Sequence, residues 1–88
     1  MTNKERIEII RRKAHTSITM KNAYEKLSCF AVREHNQKLV DKYIEWAFFY
    51  ENEARAYNDC LGLFGEKPEE TDEIAEYIII DESKEKLN

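Results

Sequence analysis

At 88 residues the chain has room for one small domain, and its two glycines and one proline are too few for the closely spaced turns of a β-sandwich or barrel. With 42% hydrophobic and 36% charged residues it reads as a packed helical protein rather than a disordered one. The longest apolar run, Trp46 to Tyr50, is too short to span a membrane, and no charged segment followed by an apolar leader opens the chain. The expectation is a cytoplasmic protein without a membrane partner.

The net charge of −4 is unevenly placed: residues 1–38 carry nine Lys/Arg and four Asp/Glu, whereas residues 39–88 carry five and fourteen. Such a division points to segments that pack against each other, or to ends that face different partners.

Thr2 followed by Glu5 has the spacing of a capping box, which starts a first helix over roughly 3–15 with Ile7, Ile10 and Ala14 on one face. Projected onward, that stripe should continue at 18, 21 and 25. The apolar residues instead stand at Met20, Ala23, Tyr24, Leu27, Phe30 and Ala31, so the stripe is displaced around the helix. His15-Thr16-Ser17-Ile18-Thr19 is rich in β-branched and cap-forming residues. These two features together predict a break or kink there, with Thr16 or Ser17 capping a second helix over roughly 18–34.

Arg33 to Lys38 is polar throughout, which predicts a tight turn with Asn36 as the next N-cap. No glycine stands in this stretch, so a helix running straight through is the alternative.

The third helix, roughly 37–63, has the clearest pattern in the chain. Val40, Ala47, Ala54 and Leu61 recur every seventh residue, as do Tyr43, Tyr50, Tyr57 and Phe64. This is a heptad seam that alternates small or medium residues with large rings. Beside it runs a second apolar stripe of Trp46, Phe49, Ala56, Cys60 and Leu63. A surface helix in a small bundle needs only one such stripe, so the second belongs either to a domain centre or to another chain.

Gly62 and Gly65 are C-cap candidates, and Pro68 with Glu69 and Glu70 suits the first turn of a fourth helix, roughly 68–80. Tyr77 to Ile80 also fits a short strand, although no second strand candidate exists to pair with it. Residues 82–88 form a frayed polar end.

Nothing in the sequence converges on chemistry. There is no phosphate-binding loop, no EF-hand spacing, and no Glu three residues before His15 or His35 to build a di-metal site. Cys29 and Cys60, the two cysteines, have no zinc-site spacing with the histidines and read as ordinary thiols in a reducing compartment. A helical Arg–His ribonuclease pattern would need four intervening residues, and Arg11 to His15 has three. The expectation is therefore no enzyme activity, no cofactor and no metal.

Arg6, Arg11, Arg12 and Lys13 are the candidate nucleic-acid contacts. Against that role stand the sequence pI of about 5.2 and the lack of interleaved aromatic residues to stack on bases. The acidic end, nine acids and three bases over residues 66–88, suits an inhibitor that occupies the basic groove of a nucleic-acid enzyme, as small proteins of viruses and mobile elements can.

Taken together, the sequence predicts an all-α single domain over 1–88, a small antiparallel bundle or hairpin of three to four helices assembled as a homo-oligomer. Its expected function is protein–protein interaction as an adaptor, regulator or inhibitor, with itself or a larger protein as partner. Trp46, Phe49, Ala56 and Leu63 are the expected anchor, with Glu45, Glu53 and Asp59 as charged rim.

Overall fold

The computed structural model describes residues 1–70. Expectations placed on 71–88, namely most of the fourth helix, the strand alternative and the frayed end, lie outside the described residues.

Within 1–70 the chain is an antiparallel hairpin of two helices, α1 (Asn3–Arg33) and α2 (Gln37–Leu63). Thr2 caps α1 as its spacing requires: its Oγ1 accepts from the Glu5 amide at 3.2 Å, while the hydroxyl faces the Glu5 carboxylate at 3.3 Å.

The expected break at His15–Thr19 does not exist, and the first two predicted helices are one 31-residue helix. Thr16 and Thr19 face solvent and turn their hydroxyls back onto the carbonyls of Arg12 and His15, at 3.0 and 2.9 Å. These bonds satisfy the hydroxyls without ending the helix. The apolar stripe does not slip either. Positions 18, 21 and 25 are buried as the projection of Ile7, Ile10 and Ala14 required, but two of them are polar. Lys21 and Glu25 form an ion pair at 3.2 Å with side chains only 3% and 5% exposed. A seam interrupted by a buried ion pair carries no apolar periodicity, and the displaced stripe at Met20–Ala31 belongs in part to another face.

The turn falls where its polar composition placed it. Ala31 and Val32 carbonyls accept from the Asn36 and His35 amides at 2.9 and 3.0 Å, closing α1 in a Schellman motif. The left-handed position is filled by His35 at φ 56°, where glycine is the usual choice. Asn36 then caps α2 through its side-chain oxygen, which accepts from the Leu39 amide at 3.2 Å.

In α2 the first heptad line is the interior of the hairpin. Val40 and Ala47 are 6% exposed, and Ala54 and Leu61 are fully buried. The burial on α1 runs from Ala14 to Ala31, so the pairing takes in more than half of that helix. Tyr43, Tyr50 and Tyr57 are half-buried along one edge of this seam rather than filling its centre. Among the described residues four of the eight buried apolar side chains are alanine, so the helices approach closely over a thin core.

Gly65, at φ 74°, ends α2 in a second Schellman motif, with the Gly65 and Glu66 amides on the Gly62 and Leu61 carbonyls, each at 3.0 Å. Gly62 lies inside the last turn rather than capping it. Residues 68–70 are not helical, so the fourth helix does not start at Pro68. Instead the segment straps back across the hairpin. Asn58 grips the backbone of Glu69 at both ends, accepting from its amide at 2.9 Å and donating to its carbonyl at 3.1 Å. The Glu69 carboxylate meets Arg11 of α1 at 2.9 Å, and Arg11 also donates to the Lys67 carbonyl at 3.2 Å.

Candidate interaction surface

Tyr24 of α1 is the hub of an aromatic cluster on one side of the hairpin. Its ring centroid lies 6.1 Å from Tyr43, 6.0 Å from Trp46 and 5.8 Å from Tyr50. Phe49 closes the group with edge contacts to Trp46 at 5.8 Å and to Tyr50 at 5.1 Å. Edge-to-face and offset-stacked geometries of this kind hold rings in place without full burial. Phe49 remains 54% exposed and Trp46 42% exposed.

Of the four anchor residues expected from sequence, Trp46 and Phe49 are brought into contact, whereas Ala56 and Leu63 lie farther along α2 on the same exposed stripe. Leu63, at 87%, is open to solvent. The contribution of α1 was missed. Leu27, 42% exposed, lies one helical turn from Tyr24 and extends its side of α1, whereas Phe30, 57% exposed, stands nine residues from buried Lys21 and so faces away from α2. Their signal was the Met20–Ala31 stripe, which a reader of sequence alone assigns to core. Arg33 sits over the Phe30 ring at 5.9 Å.

The strap occupies a different side. Asn58 and Phe49 are nine residues apart, which places them about 180° apart around α2. The aromatic surface is therefore left open by the strap.

The basic residues of α1 do not form one patch. Arg11, Arg12 and Lys13 are successive and so fan over about 200° of the helix. Arg11 is engaged by Glu69 and Lys67. Arg12 and His15 line an open groove with Glu8, Arg11 and Glu69, in which two carboxylates stand beside the cations. Cys29 is buried and Cys60 half-buried, and the two are not joined in a disulfide. Among the described residues no group of three or more His, Cys, Asp or Glu side chains is placed to hold a metal, and no helix is long and apolar enough to cross a membrane.

Comparison with protein-family models, with curated proteins and with solved structures finds no match to this chain.

Proposed function

We propose that this chain is a non-catalytic protein–protein interaction module that binds through the aromatic surface formed by Tyr24 and Leu27 of α1 with Trp46 and Phe49 of α2. One observation carries the reading: the largest apolar side chains of the hairpin lie outside its seam. The interior line of α2 is complete with Val40, Ala47, Ala54 and Leu61, while Leu27, Trp46 and Phe49 stand 42–54% exposed. Contiguous exposed apolar surface on a small protein marks a site that another molecule covers, and buried aromatic anchors carry most of the energy of such contacts.

The test contrasts two acidic substitutions on α2. Phe49→Glu changes a half-exposed residue that makes edge contacts to Trp46 and Tyr50, and is expected to leave helicity intact by circular dichroism at a cost of about 0.5–1.5 kcal/mol in stability. Association, whether with itself or with a captured protein partner, is expected to weaken more than about tenfold. Ala54→Glu places a carboxylate in the closed seam and is expected to unfold the hairpin. Unfolding by Phe49→Glu would show that its ring belongs to the interior and would end the proposal.

A further inference from the structure

Alongside its interior line, α2 carries a second heptad line on the exposed side. Lys42, Phe49 and Ala56 recur every seventh residue, and so do Leu39, Trp46 and Glu53. A helix with two such seams has two helical neighbours, and in the hairpin α1 supplies one. From this pattern we infer that the second neighbour is α2 of another copy of the chain, running antiparallel.

The pattern is self-complementary in that one direction. Set Trp46 against the Phe49 of a second copy across a two-fold axis, as an isologous interface requires. Moving outward along an antiparallel pair, the next layer brings Lys42 against Glu53, and the layer after that brings Leu39 against Ala56. Ring meets ring, base meets acid, and large meets small, each twice by symmetry. A parallel pair would instead oppose Lys42 to Lys42 and Glu53 to Glu53, repulsive at both positions. The matched stretch, Leu39 to Ala56, is about 26 Å of helix. The residues concerned are available: Lys42, Trp46, Phe49 and Ala56 are exposed, and Leu39 and Glu53 are half-exposed. The strap on the Asn58 side leaves this line uncovered.

This inference rests on the aromatic surface being a docking site and specifies its occupant. The experiment is a charge exchange on the full chain, read as absolute mass by light scattering across a wide dilution series. The wild type is expected at twice its 10.5 kDa chain mass. Lys42→Glu sets acid against acid in both symmetric layers and Glu53→Lys sets base against base. Each is expected to weaken the dimer about tenfold or more. The double variant restores opposite charges in reversed order and is expected to return dimer affinity to within about threefold of wild type. Where Lys42→Glu loses helicity, Lys42→Gln replaces it and is expected to weaken the dimer about threefold. A monomeric wild type, a higher-order assembly, or a double variant no tighter than the singles would overturn the antiparallel pairing. None of these results touches the broader reading, which fails separately if Phe49→Glu unfolds the chain.

Discussion

His35 holds the left-handed position that ends α1, at φ 56°. A side chain there costs about 1–2 kcal/mol, of which a glycine's extra freedom in the unfolded chain returns roughly half. His35→Gly is therefore expected to raise stability by about 0.5–1 kcal/mol, measured as the midpoint of urea unfolding at constant slope. No gain would mean that the histidine side chain contributes a contact that offsets its backbone strain. Gly65 shows the same physics with the usual residue in place: at φ 74° it ends α2 by the same pair of hydrogen bonds. Asn36, between the two helices, completes the turn by covering the Leu39 amide. Three residues with no glycine among them thus reverse the chain, because the carbonyls of the last turn and the amides of the next helix both find partners.

At the scale of the helix, α1 passes through the five residues that most resemble a boundary. Thr16 and Thr19 are solvent-facing and bonded to their own helix. Replacing both by alanine is expected to leave the hairpin folded and about 0.5–1 kcal/mol more stable, since alanine is the better helix former. If Thr16 capped a separate helix, the same change would cost about 1 kcal/mol, so thermal unfolding decides between them. Farther along α1, Lys21 and Glu25 face each other within the seam. Truncating one member of a buried ion pair takes a charge partner away from the other inside the seam, so Lys21→Ala is expected to cost about 3–5 kcal/mol in urea unfolding. A change below about 1 kcal/mol would mean that water reaches the pair. The apolar periodicity of this helix was misleading for a physical reason: a polar pair satisfies burial by pairing, and hydrophobicity does not register it.

For the molecule as a whole, the strap is what makes more than two helices of the described chain. Asn58 fixes Glu69 by its backbone, and Arg11 fixes it by its carboxylate, joining the basic start of α1 to the acidic stretch that follows α2. Asn58→Ala removes both backbone bonds. The amide of Glu69 is then expected to exchange its hydrogen about tenfold faster or more, with helix content unchanged. Unaltered exchange would show that the Arg11 contact alone orders the segment. Because the strap and the aromatic surface lie on different sides of α2, this variant is also expected to leave association through Phe49 intact, which separates the two surfaces by measurement.

Local signals in the sequence marked where α1 begins and where the chain turns into α2. The Thr2 and Asn36 caps, the polar turn and the interior line of α2 were all legible, because capping and heptad burial depend on neighbours within a few residues. The exposed stripe through Trp46 and Phe49 was legible as an excess, one apolar face more than a hairpin needs. Its neighbours on α1 were not, since Tyr24 and Leu27 look like core until the direction of α2 is known. Tertiary structure alone decided that Arg11 is engaged by Glu69 and that the segment after α2 folds back instead of starting a helix. Each of these depends on charges or backbone groups far apart in the chain meeting across the hairpin. No periodicity encodes that, because such a contact is set by which helix faces are brought together and not by the spacing along either one.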